Sequence, residues 1–339
     1  MKKLLPKHKA KVLERLSTNL PLKITAKLVD DDGYWKKCCN ARWEVCDVSQ
    51  HGGRWKRMFF ERNLQEIIEK FVPESTNPTE LTETLALSSN YVRRLIIRQL
   101  LPPIKNVNKN ASNDNVSDGE ESDIGDEPQI DHFDFGILLP QLPFLEDFHV
   151  TYGVRDCGMN FDWSLFQFTT RDCMLLSKCI ANCRTLRMLK LHESKVDDSK
   201  VRVLISHILD HPVLLELDLS QNIIGDRGAR AIGKFLNNHS QLTKLNLCNN
   251  NIHAYGAQAI AHALTKNTNL LSLELRLNHI GDDGGQAICR ALLKNSTLKE
   301  VGLGSNELSE PTAAVMSKVM SENSVLRKID LSCNRLGPV

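Results

Sequence analysis

The sequence predicts an α/β solenoid, a curved stack with short parallel strands inside and helices outside. Three observations predict it. Leu186, Leu214, Leu242, Leu270, Leu298 and Leu326 follow one another at intervals of 28 residues without slippage. A fixed period in this range marks stacked structural repeats. Each of these leucines opens a strand phrase whose apolar residues alternate inward, as in LLELDLSQNIIG from Leu214 and LTKLNLCNNNIH from Leu242. Behind each phrase apolar residues recur at steps of three and four, the period of a helix face.

Residues 1–20 form a basic, partly amphipathic lead. Residues 21–104 read as a small, mostly helical domain rich in Trp and Cys, with helices expected over Asn63–Val72 and Leu81–Leu101. Asn77-Pro78-Thr79-Glu80 supplies a start signal for the second helix, and Pro102-Pro103 closes it. Residues 105–132 are polar and acidic, with eight Asp or Glu and no Lys or Arg between 111 and 131. Such a stretch cannot bury enough apolar surface to fold, so a disordered linker is expected, with Ser117 and Ser122 placed for an acid-directed kinase.

The solenoid is expected over 133–339. In the unit at Leu214, Leu217 and Leu219 point inward, Asn222 follows, then Ile224. The next two units place Leu245, Leu247, Asn250 and Ile252, then Leu273, Leu275, Asn278 and Ile280, in the same slots. This is the leucine-rich repeat pattern. The Asn slot has a mechanical reason. The chain turns sharply after the strand and leaves backbone groups inside without ladder partners. A carboxamide offers both donors and an acceptor for them. Asn222, Asn250, Asn278, Asn306 and Asn334 should therefore form an internal ladder. In the helical half, Gly228-Ala229, Ile232 and Leu236 recur as Gly256-Ala257, Ile260 and Leu264. Asn267, Asn295 and Asn323 share a slot near the helix end, where Asn suits a cap. A single unit cannot bury its own apolar face, so neighbours complete it.

Both ends of the array are irregular. Leu145, Phe148 and Val150 form a weaker strand phrase 41 residues before Leu186, and the surplus falls around Met159–Thr170. Phe161, Trp163, Phe166 and Phe168 crowd that insertion and are expected to cover the first open repeat. The chain stops at Val339 just after a strand phrase. A bare apolar solenoid end is sticky, so the sequence is expected to be cut short within its last repeat or to be covered there.

The net charge of +2 argues against nucleic acid and membrane surfaces as partners. It conceals an asymmetry, since residues 1–100 carry 19 Lys or Arg against 12 Asp or Glu. The ten Cys follow no secretory signal and read as reduced thiols. No phosphate-cradling loop, zinc-protease helix or nucleophile elbow is present in the sequence. Neither a catalytic residue, a cofactor nor a metal site is expected. Cys38, Cys39, Cys46 and His51 have poor zinc spacing.

Two surfaces are candidates for binding. The outward positions of the repeat strands should line the concave face, with Lys190, His192, Glu216, Asp218, Lys244, Asn246, Glu274, Arg276, Glu300, Lys328 and Asp330 among them. Charges of both signs alternate there, which suits a protein partner rather than a phosphate backbone. In the N-terminal domain Trp35, Trp43 and Trp55 lie among Arg54, Lys56 and Arg57. That mixture suits a core with cationic neighbours, a docking surface, or base stacking.

The segment DDGYWKKCCNARWEVCDVSQHGGRWKRMFFERNL (Asp31–Leu64), the run VRRLIIRQLLPP (Val92–Pro103) and the 28-residue repeats together resemble the leucine-rich-repeat subunit family of the dynein regulatory complex. The repeats alone resemble ribonuclease inhibitors, Ran GTPase activators and innate immune sensors equally. The resemblance implies a non-enzymatic scaffold in the axoneme of motile cilia and flagella, helping to link doublet microtubules and regulate dynein. The partners it implies are other subunits of that complex, a second leucine-rich-repeat subunit among them, and axonemal microtubule or dynein components. The competing expectations are a small-GTPase regulator using Arg276 and Asn246, and a cytosolic enzyme inhibitor.

Overall fold

The computed structural model describes residues 6–102, 132–155, 167–237 and 240–337. Residues 105–131 of the expected linker, with Ser117 and Ser122, and Phe161, Trp163 and Phe166 fall outside them, whereas His132 at its expected end is buried. Among the described residues no helix is long and apolar enough to cross a membrane.

Five helices come first: α1 (Pro6–Arg15), α2 (Leu22–Leu28), α3 (Asp32–Arg42), α4 (Trp55–Glu69) and α5 (Thr79–Ser88). The strands β1 (Arg94–Ile97) and β2 (Asp147–Val150) follow, then α6 (Thr170–Asn182) and β3 (Met188–Leu191). The regular units are α7 (Asp198–Ile208), β4 (Glu216–Asp218), α8 (Asp226–Asn237), β5 (Lys244–Asn246), α9 (Ala254–Leu264), β6 (Ser272–Glu274), α10 (Gly281–Leu292), β7 (Glu300–Gly302), α11 (Glu310–Glu322) and β8 (Lys328–Asp330).

The eight strands of the described residues form one parallel sheet in chain order, and from β2 onward an α-helix crosses over between each pair. The repeat period becomes the sheet register: Leu217 pairs with Leu245, Leu245 with Leu273, and Leu273 with Val301. These side chains and the inner helix faces, such as Ile232, Ile260 and Ile288, are fully buried in one continuous core. Burying each such side chain contributes about 1.5–3 kcal/mol. The fold is therefore the α/β leucine-rich-repeat solenoid that the 28-residue period predicts.

One expected element is different. The helix predicted over Leu81–Leu101 stops at Ser88, and Arg94–Ile97 is a strand paired with β2. Leu95 and Ile97 point into the repeat core while Arg94 and Ile96 do not. A four-residue strand carries too little pattern to stand out beside a helical run, and its partner lies 53 residues ahead at Asp147. The sheet thus begins before the acidic stretch, and Leu64, Ile68, Leu81 and Leu85 of α4 and α5 share the solenoid core.

As the first strand, β1 has a free edge, and α4 covers it. Glu61 accepts the backbone N–H groups of Arg93 and Arg94, each at 2.8 Å, and Glu69 accepts that of Arg98 at 2.7 Å. Pairing these donors inside one chain removes a template for edge-to-edge association. Phe168, from the irregular insertion, is buried against Tyr152 with ring centroids 4.3 Å apart.

Candidate partner-binding surfaces

Three sets of bonds between repeats hold the platform. Asn278 donates from Nδ2 to the carbonyls of Leu247 (2.9 Å) and Leu275 (3.0 Å), and its Oδ1 accepts the N–H of Ile252 at 3.0 Å. Asn222 and Asn250 repeat this arrangement, as does Asn334, while Asn306 donates to Leu275 and Gly304. Each carboxamide thereby ties its own turn to the preceding repeat. The residue before the ladder slot adopts left-handed backbone in every unit, with φ from 50° to 57° at Glu193, Gln221, Asn249, Leu277, Ser305 and Cys333. None of these is glycine and only Asn249 is a type that favours this conformation, so the sequence gives little turn signal there.

A second ladder runs on the other side of each unit. Asn267 donates to the carbonyl of Leu236 at 2.8 Å and accepts the N–H groups of Asn269 and Leu270. Asn295 and Asn323 do the same one and two repeats later. These residues do more than end their own helices; each satisfies the last turn of the preceding helix and starts the following strand.

The third set has acidic side chains. Asp198 Oδ1 accepts the N–H groups of Gly225 (2.6 Å) and Gly228 (2.9 Å) at the start of α8, and Asp226 accepts those of His253 (2.9 Å) and Gly256 (2.8 Å) at the start of α9. Asp282 accepts Ser309 N–H at 2.9 Å and the Thr312 hydroxyl at 2.5 Å at the start of α11. The openings of α8, α9 and α11 are thus capped from the neighbouring repeat. Burial pushes the Asp282 carboxyl up, but the hydroxyls of Ser309 and Thr312 outweigh it and hold it below its ordinary range.

The concave candidates all lie on β3 to β8 or within two residues of them, and most neutralise one another. Lys190 pairs with Asp218 at 3.0 Å, Lys244 with Glu216 at 2.8 Å, and Arg276 with both Glu274 (3.0 Å) and Asp330 (3.5 Å). Arg276 crosses a whole strand to reach Asp330, over Gly304, where a Cβ would lie 3.4 Å from its Cδ. Burial pushes Asp218 up, yet donors from Ser220 and the Lys190 ammonium bring it below the usual carboxylate value. Burial, with Lys190 beside it, lowers His192. Asn246 is held to its own strand end by the N–H of Cys248 at 3.0 Å. Glu300 and Lys328 are exposed, and Glu300 accepts only a long bond from Ser272 at 3.4 Å. The face extends two strands further than the repeats indicate. Arg94 pairs with Asp147 at 3.0 Å, and His149 with Asp147 at 2.8 Å. Asp147 and His149 belong to the weaker strand phrase at Leu145, Phe148 and Val150, whereas Arg94 lies in a stretch expected to be helical.

The N-terminal candidates divide differently. Trp35 and Trp43 are buried, and so is Lys56 at 4% exposure, which fits the core alternative and takes these three out of the docking candidates. Lys56 sits 4.6 Å from the Tyr91 ring and 5.7 Å from that of Trp35, with Asp30 as its counterion at 3.1 Å. Trp35 donates Nε1–H to the Val29 carbonyl at 3.0 Å, and Trp43 to Glu66. Arg57 is engaged by Glu61 at 2.7 Å. Trp55 is half-buried and Arg54 exposed, paired with Asp32 at 3.1 Å. Cys38 and Cys39 are buried in apolar clusters, and burial raises both thiols, Cys39 to about 12. His51 bonds Glu61 at 2.5 Å. The exposed apolar side chains of this region, among them Val12, Leu20, Ile24, Leu28 and Val45, carry no motif and escaped the reading of the sequence.

Comparisons with known proteins agree with this architecture. A leucine-rich-repeat family model matches residues 211–233, 238–261, 266–289 and 322–339. The protein named Dynein regulatory complex subunit 5 from Homo sapiens is 51% identical over 222 residues, covering 66% of this chain and 44% of its own length. Its namesake from Chlamydomonas reinhardtii is 33% identical over 198 residues, covering 58% of this chain and 43% of its own. The chain therefore spans less than half the length of these curated relatives. A solved structure, leiomodin-1 actin-binding site 2, overlaps with a TM-score of 0.38 at 22% identity, over 45% of this chain and 91% of that one. The chain is a leucine-rich-repeat protein and a homologue, over two-thirds of its sequence, of the proteins named dynein regulatory complex subunit 5.

Proposed function

We propose that this chain is a non-enzymatic scaffold subunit of the dynein regulatory complex in the axoneme of motile cilia and flagella. It would help join neighbouring doublet microtubules and regulate dynein-driven motility, with other subunits of the complex as its partners. The observation that carries this reading is the 51% identity over 222 residues to the human protein of that name. The mechanics support it. Side-chain bonds from repeat to repeat, at the turns, helix ends and helix starts, make a stiff platform, which suits a part that bears load. Concave charges of both signs give a partner register and specificity more than raw affinity.

A small-GTPase regulator is less well supported, because Arg276 is already engaged by Glu274 and Asp330. Proximity labelling from this chain in ciliated cells should recover other subunits of the complex. Recovery of soluble cytosolic proteins alone would overturn the reading. A GTP-hydrolysis assay should show no acceleration.

A further inference from the structure

Two imidazole rings meet on the rim of turns that joins the strands to the outer helices. His253 stands just before α9, and His279 follows Asn278 in the next repeat. Their planes are 24° apart and their centroids 5.4 Å. One nitrogen of each is already committed. His253 Nδ1 faces the Asn251 carbonyl at 3.1 Å, and His279 Nδ1 faces the Glu307 carboxylate at 2.9 Å. Both of those groups accept, so each Nδ1 carries the hydrogen and each neutral ring keeps a lone pair on Nε2. Both side chains are exposed, that of His279 by 52%. Gly281 takes the slot of His253 one repeat on. A Cβ there would meet nothing within 4 Å, so no side chain crowds the pair from that position.

We infer that His253 and His279 together bind a divalent transition-metal ion, one Nε2 from each. A metal-ligating histidine donates its other ring N–H to a carboxylate or a backbone carbonyl, which fixes the tautomer and raises the basicity of the ligating nitrogen. Here one ring has each kind of partner. Tetrahedral coordination at about 2.0–2.1 Å sets the two nitrogens about 3.3 Å apart, which exposed rings reach by tilting toward each other. The surroundings favour a cation. Glu307 stands behind His279, and Asp226, which accepts the His253 N–H at 2.9 Å, offsets the positive start of α9. Arg335 opposes them, acting on Glu307 less strongly than His279 does. Among the described residues no third histidine, cysteine or carboxylate completes the set, so the other positions are left to water. Imidazole nitrogens suit Zn²⁺, Ni²⁺ and Cu²⁺, whereas Mg²⁺ and Ca²⁺ take oxygen. No spacing motif announces the pair, because its 26-residue separation falls two short of the repeat.

This inference does not rest on the scaffold reading. The probe is Ni²⁺, which imidazole binds and which broadens the NMR signals of the ring protons it approaches. Added to the whole chain, it should broaden the His253 and His279 signals together, before that of His262, an exposed histidine in the last turn of α9. His253→Ala should raise the Ni²⁺ needed to broaden His279 at least about tenfold, and His279→Ala should do the same to His253, because each ring loses its chelating neighbour. Glu307→Ala should weaken binding about tenfold while both rings still respond at one concentration, as loss of an outer partner does. All three side chains are exposed, so the melting temperatures without metal should not change. Three results would each overturn the proposal. The two rings respond at different Ni²⁺ concentrations, or neither responds before His262, or each ring binds as well in the absence of the other.

Discussion

Asp198 caps the helix of the next repeat, which begins 28 residues later: its Oδ1 accepts the N–H groups of both Gly225, at 2.6 Å, and Gly228, at 2.9 Å. Gly225 immediately precedes α8 and Gly228 lies in its first turn, so both N–H groups would otherwise lack intrahelical partners. A capping side chain normally precedes its own helix; here it sits on the previous one. The device couples neighbouring repeats, so disturbing one unit weakens the start of the next.

Asp226→Ala should therefore destabilise the chain by about 1–2 kcal/mol, since it removes a side-chain cap from α9. The slot is empty one repeat on, where Ala254 stands. Ala254→Asp should raise stability by about 0.5–1 kcal/mol, by capping α10 and placing a negative charge in the first turn of α9. Urea melts of both variants check this, and opposite signs are expected.

Asn278→Ala leaves the Ile252 N–H and the Leu247 and Leu275 carbonyls without their partner. The cost should be on the order of 3 kcal/mol, because buried groups lose bonds that water cannot replace. Hydrogen exchange should quicken at Ile252 in particular. A variant as stable as the parent would contradict the ladder.

Leu277 holds φ 56° and is 52% exposed. Left-handed backbone costs a leucine about 1–2 kcal/mol, and asparagine tolerates it better. Leu277→Asn should gain about 1 kcal/mol. A drop in melting temperature would mean that the exposed leucine side chain contributes more than the backbone costs.

Acid should loosen the repeats. Asp218 and Asp282 both lie below the ordinary carboxylate range; burial opposes this, and hydrogen bonds from Ser220 and from Ser309 and Thr312 outweigh it. The unfolded chain therefore takes up these protons first as pH falls. The stabilisation is complete above the unfolded value of about 4 and disappears as pH drops through the lower folded values. Denaturant midpoints should be flat on this account from neutrality to about pH 5 and fall below pH 4. Asp282→Asn should flatten part of that acid limb.

The 28-residue period was sufficient to establish the solenoid, the inward leucines and the side of the sheet on which Lys190, Glu216 and Arg276 would lie. It works because side-chain direction in a strand has period two, so a strict repeat places like residues on like faces. Tertiary structure alone decided what those residues touch. Arg276 is committed to Asp330 because a glycine strand lets it pass, and Lys56 is interior because Tyr91 and Asp30 meet it there. The strand at Arg94 and the caps from Asp198, Asp226 and Asp282 were invisible for the same reason. Their partners are backbone groups 27 residues or more away, and a backbone N–H leaves no trace in the sequence.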